Sequence, residues 1–186
     1  MAEEKKTHTT RGVETSSATP NVVPPVTRTA SELEVLIHDD FYGWLMDQAS
    51  RLRRLRPDSL DWQNLAEELE GMARSEERAL ESHFENLLIH LLNWRYQPNK
   101  RSGSWEATIE NSREHILRLL QRSPSLKSNL DDAFHGAYRT ARRDAGGQMG
   151  LSKREWERRL PDLCEWSLEG VQDSNFWPDA VDSASN

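Results

Sequence analysis

Hydrophobic positions recur at helical spacing along most of this chain, and the longest such run spans Asp61 to Tyr96. Plotted at about 3.6 residues per turn from Leu65, the side chains of Leu69, Met72, Leu80, Leu87, Leu91 and Trp94 share one face. Glu76, His83 and His90 fall on that same face. A helix serving only as core would carry leucines there, so these three are expected to be hydrogen-bonded, functional or both. Asp61 is placed to cap the helix, and Pro98 with the polar run NKRSGS closes it. At about 1.5 Å per residue it would reach about 50 Å, with Gly71 as the expected point of a kink or interruption.

Shorter stripes surround it. Phe41, Leu45, Leu52 and Leu55, with Gln48 on the same line, predict a helix over about Asp39 to Leu55, ended by Pro57. Just before it, TASELEVLIHDD begins the helical region, with Thr29 or Ser31 as cap and Glu32 three residues after Thr29. Ser104 is the expected cap of a third helix carrying Trp105, Ile109, Ile116, Leu119 and Leu120. Ser123-Pro124 reads as the start of a fourth, with Leu126, Leu130, Ala133, Ala137 and Ala141 inward, stopped by Gly146, Gly147 and Gly150. Leu151 to Leu160 forms a short fifth helix opened by the pair Ser152 and Glu155. From 161 to 178 the sequence reads as irregular chain with one turn of helix, strapping Trp166, Phe176 and Trp177 onto the rest. No strand-period alternation and no solenoid repeat interrupts the pattern. The expected fold is all-α: a four-helix-type bundle with a short fifth helix and an irregular aromatic C-terminal strap.

Composition changes this picture at the ends. Residues 1–30 contain Pro20, Pro24 and Pro25, much Thr and Ser, and no aromatic residue, so they read as a disordered tail. Residues 31–178 are then a single helical domain and 179–186 a disordered C terminus. The net charge is −7; the first 30 residues hold four basic and three acidic side chains, leaving the body acidic. An acidic body disfavours indiscriminate contact with nucleic acid or anionic membrane. A single cysteine, Cys164, excludes an intrachain disulfide and any thiolate zinc site, which points to the cytoplasm. The first residues lack a signal-peptide h-region and no run of about 18 apolar residues occurs, so neither secretion by that route nor membrane spanning is expected.

The order DFYGWLMDQASRLR, DWQNLAEELEGMARSE, HLLNWRYQP, SWEATIENSREHI and SPSL resembles the bacterial family called domain of unknown function 29, over about Asp39 to Pro178. The resemblance implies an all-helical fold and carries no catalytic residues across. The family usually has Lys where Asn93 precedes Trp94 here.

Three groups of residues are candidates for chemistry. Glu76, His83 and His90 are spaced about two turns apart, roughly 10.5 Å, too far for one metal ion. Each therefore needs its own partner; Arg113 on the third helix is the expected partner of a carboxylate, and a cleft around His90, Trp94 and Arg113 is the functional alternative to a buried structural network. The glutamates Glu67, Glu70, Glu77 and Glu81 fall toward the outer face, with Glu68 at the stripe's border, and no Glu-x-x-His or His-Glu-x-x-His motif makes them metal ligands. Arginines gather in two clusters at or beyond helix ends. The larger, around Arg139, Arg142, Arg143 and Lys153, is the candidate anion contact, otherwise a complement to the helix dipole. Seven tryptophans read mainly as core plugs, with Trp166 and Trp177 most available to a partner. No cofactor or metal is expected, and Cys164 has no catalytic neighbour.

These readings favour a small cytoplasmic binding or adaptor module without catalysis. Its expected partner is a protein, including a second copy of the chain. The alternative is an enzyme or small-ligand binder using a pocket around Glu76, His90, Trp94 and Arg113.

Overall fold

The computed structural model describes residues 29–181, and among these the chain is all-α, with no strand. The helices are α1 (Ala30–Asp39), α2 (Phe41–Leu55), α3 (Trp62–Tyr96), α4 (Gly103–Arg122), α5 (Leu130–Gln148), α6 (Lys153–Arg159) and α7 (Leu168–Gln172). The expected N-terminal tail lies outside the described residues except for Thr29 and Ala30, which open α1. At the other end Val181 is in place, its amide 3.1 Å from the Arg95 carbonyl.

Local signals within four residues of each other set most boundaries. Thr29 and Glu32 form the expected reciprocal capping box, the Thr29 amide lying 2.5 Å from the Glu32 carboxylate. Asp40 separates α1 from α2 and accepts the Gly43 amide at 3.1 Å. It also accepts from the Ser125 amide and hydroxyl, so one carboxylate caps α2 and ties it to the chain that follows α4. Asp61 caps α3 by accepting the Asn64 amide at 3.3 Å.

Four boundaries differ from the pattern. Gly71 does not interrupt α3, which runs unbroken through 35 residues; one glycine costs a helix only about 1 kcal/mol. α4 begins at Gly103, so Ser104 lies inside it and Ser102 occupies the cap position. A 3-10 turn over Pro124–Asn129 precedes α5, which delays the fourth long helix by six residues. α5 passes through Gly146 and Gly147. Gly146 is needed for approach, since a Cβ there would sit 2.6 Å from the Trp156 side chain. Gly150, at φ +76°, is the residue whose backbone suits the exit.

The core forms around the C-terminal half of α3. Leu80, Phe84, Leu87, Leu88, Leu91 and Leu92 are buried against Ile109, Ile116 and Leu120 of α4 and Ala133, Phe134, Ala137 and Ala141 of α5. Phe84 and Phe134 meet edge to face at 5.7 Å. Each such leucine or phenylalanine contributes about 1.5–3 kcal/mol on burial. Contacts fix the directions: Glu76 meets Arg122 and His83 meets His115, so α4 runs antiparallel to α3. Tyr42 meets Glu77 and Arg53 meets Glu70, so α2 is also antiparallel, but beside the N-terminal half. Since α4 ends opposite Glu76 and α5 starts opposite Glu77, α2 and the first four turns of α3 project past them as a two-helix arm.

Candidate functional site

The polar line on α3 sits at the edge of the buried face, not its centre. Ala66, Ala73, Leu80, Phe84 and Leu91 are all buried and, at about 100° per residue, point roughly 80° away from the Leu65 line. Large side chains dominate a sequence pattern, whereas the residues buried in this half of α3 are the two alanines, with Leu45 and Ala49 buried on α2. Glu76, His83 and His90 are consequently half-buried, each with a separate partner. Glu76 pairs with Arg122 at 2.5 Å and accepts from the Ser123 hydroxyl at 3.4 Å. His83 lies against the His115 ring at 4.9 Å, and its pKa is lowered by burial and by that second imidazole. His90 places Nδ1 2.8 Å from the Asn86 carbonyl of its own helix, not in a network with Arg113. Glu76 and His90 are about 21 Å apart along the axis, so they line no common pocket.

Arg113 has a different task from the one its position suggested. It is buried on α4 and donates from Nε to the Val171 carbonyl at 2.9 Å. Its other nitrogens reach the carbonyls of Phe176 at 2.6 Å and Ser174 at 3.4 Å, and the Glu110 carboxylate at 2.8 Å. One guanidinium thereby satisfies three carbonyls at and just beyond the end of α7, where no following helical turn bonds them. Trp94 does come near it, through Trp177: the indoles lie 4.7 Å apart, Arg113 sits 5.4 Å from Trp177, and Arg101 sits 4.7 Å from Trp94. This four-layer stack anchors the C-terminal segment and leaves Arg113 no free donor pair for a substrate. Asn93 is buried beside it, donating to Gln148 at 2.7 Å and accepting from Gln97 at 3.3 Å. That is a site for an uncharged amide.

The basic cluster is divided in the same way. Arg142 donates to the Leu160 and Glu157 carbonyls at 2.7 and 2.8 Å, closing the C-terminus of α6, and pairs with Asp162. Arg143 pairs with Asp144 at 2.8 Å and Lys153 lies 3.8 Å from Glu157. Arg139, the fourth, is exposed on α5. Glu70 and Glu77 are not outward, as they hold Arg53 and the Tyr42 hydroxyl, and burial with the Glu77 bond pushes Tyr42 up to about 12. Burial likewise raises the Cys164 thiol to about 11, against the reactive thiolate. Among the described residues, no group of three or more His, Cys, Asp or Glu is placed to hold a metal ion. An open cleft of about 350 Å³ lies between α3 and α5, with Leu80, Leu126 and Ala133 as floor and Glu77, Glu81 and Asp132 at its rim.

Exposed apolar side chains gather on the arm, where Leu55, Leu60, Leu65 and Met72 all lie. Arg53–Glu70 and Tyr42–Glu77 bridge one side of the α2–α3 hairpin. The opposite side is the one α4 covers lower down: Arg122 bonds Glu76 there and its guanidinium lies 5.5 Å from the Phe41 ring. Beyond the end of α4, that same side presents Leu65, Leu69 and Met72 on α3 and Leu52 and Leu55 on α2. Leu55 is 67% exposed, Met72 47% and Leu65 44%. The sequence marks these positions as core. The warning sign was helix length, because a 35-residue helix cannot be covered end to end by a 20-residue one.

A hairpin arm projecting from an all-helical body defines the fold. The chain belongs to the family described as Domain of unknown function DUF29, whose model matches residues 36–177. No curated protein and no solved structure matches it. No helix among the described residues is long and apolar enough to cross a membrane.

Proposed function

We propose that this domain is a non-catalytic binding module of the cytoplasm that engages a protein partner through the uncovered side of its α2–α3 arm. The observation that carries the reading is the exposure of Leu55, Leu65 and Met72 on a helix side that the molecule covers everywhere else. Exposing three large apolar side chains side by side costs solubility, and contiguous apolar patches on soluble domains are commonly contact surfaces. The commitment of Arg113, Glu76 and His83 to internal partners supports the absence of catalysis, and the single cysteine supports the reducing compartment.

The test is a photo-crosslinking amino acid placed at Met72, and at Arg118 on the outer side of α4 as control, in cells expressing the full chain. Adducts should form from position 72 and not from 118, and His90→Ala should leave them unchanged. A well-folded protein that gives no adduct at 72 refutes the reading.

A further inference from the structure

We infer that the occupant of the arm is a second copy of this chain, related by a two-fold axis that crosses the arm through Leu52 and Leu69. The inference rests on the binding reading above and names its partner. The contacts Arg53–Glu70 and Tyr42–Glu77 set the register of the hairpin, and interpolating between them places residue 52 of α2 level with about residue 71 of α3, about 3 Å along the helix from Leu69. Each helix presents a triad spaced four and then three residues apart: Gln48, Leu52 and Leu55 on α2, Leu65, Leu69 and Met72 on α3. Both triads are therefore centred within about 3 Å of one height. An axis at that height, perpendicular to the helices, returns the surface onto itself, which is what an isologous interface demands. Leu69 meets its own mate, Leu65 meets the partner's Met72, and Gln48 meets the partner's Leu55.

The space available agrees with that axis. Uncovered α3 runs from Trp62 at the tip to Glu76, where Arg122 of α4 closes it, and Leu69 is its midpoint. Because α4 occupies the same side at the base of the arm, two copies cannot align tip to tip; the tips point in opposite directions. Each tip then reaches the α4 end of the other molecule. Leu60, 52% exposed in the turn, is brought to the height of Phe41 and Trp44, which are stacked at 6.3 Å. The assembly is an antiparallel four-helix arrangement that buries the face a lone hairpin leaves wet. A patch two helices wide and about 22 Å long outlines roughly 450 Å² per partner, about 900 Å² in total, the size of a weak, transient contact. Such a contact gives a weak dimer whose population depends on concentration. Glu68 faces its own mate near the axis, so salt should not weaken association.

Sedimentation equilibrium of the full chain tests this, with Leu65→Glu/Met72→Glu as the variant. Both positions are exposed, so circular dichroism should show a retained fold while dimerisation weakens by about tenfold or more. Disulfide trapping in a Cys164→Ser background tests the axis itself. Leu69→Cys should crosslink to its own mate. Leu65→Cys alone should not, since its mate lies about 12 Å along the axis, beyond disulfide reach. A wild type that stays monomeric to millimolar concentration overturns the inference; adducts from position 72 to a different protein would then leave the binding reading standing. A wild-type dimer that the Leu65→Glu/Met72→Glu change does not weaken, or trapping at 65 in preference to 69, overturns it as well.

Discussion

The two halves of α3 carry the same kind of apolar periodicity and meet different surroundings. From Leu80 to Tyr96 the helix is packed against α4 and α5, and its five leucines are all buried, with Phe84 and Ile89. From Trp62 to Ser75 it has α2 alone, and its only buried side chains are Ala66 and Ala73. Amphipathic pattern records that a face is apolar; helix length and neighbour count decide whether that face is core or contact surface.

The sharpest test of the contrast is to cut side chains on both halves. Phe84→Ala should cost about 3–5 kcal/mol and Leu87→Ala about 2–5 kcal/mol in denaturant unfolding, as buried side chains of these types do. Leu65→Ala and Met72→Ala should stay within about 0.5 kcal/mol when measured on dilute protein, because neither has a neighbour to leave a cavity in. Equal losses on the two halves would erase the distinction.

Arg113→Ala comes next, at about 2–4 kcal/mol, since it strips three carbonyls of the C-terminal segment of a charged donor. Proteolysis should then cut within 161–181 before any other region opens. If unfolding is unchanged, the segment is held by its aromatics alone. Glu76→Gln should cost about 1 kcal/mol or less, because Arg122 is mostly exposed.

The smallest expected effect is a pH dependence. The His83 pKa is lowered in the folded protein, so the unfolded chain binds a proton first as acid is added. Stability is therefore full above the unfolded value of about 6.5 and falls as pH drops through the folded one. His83→Gln should flatten the melting temperature across that window. A slope that survives in the variant assigns it to other groups.

Caps were legible in sequence because each acts within one turn: Thr29 with Glu32, Asp61, and Ser152 with Glu155, whose carboxylate accepts the Ser152 amide at 2.7 Å. The helical class followed from periodicity for the same reason. What was not legible is long-range. Nothing near Arg113 indicates that its partners are carbonyls 58 to 63 residues away. The orientation of α3 was misjudged by its leucines because Ala66 and Ala73, which bury little area each, set the contact with α2. Thus Glu76, His83 and His90, which the leucine pattern places on the buried line, form its half-buried margin.

Amide hydrogen exchange along α3, followed at low and high protein concentration, tests the central claim most directly. The account predicts that 80–96 exchanges only through global unfolding at both concentrations, whereas 62–75 opens locally in dilute solution and slows as concentration rises. Uniform protection along the helix, or protection of 62–75 that ignores concentration, would contradict it.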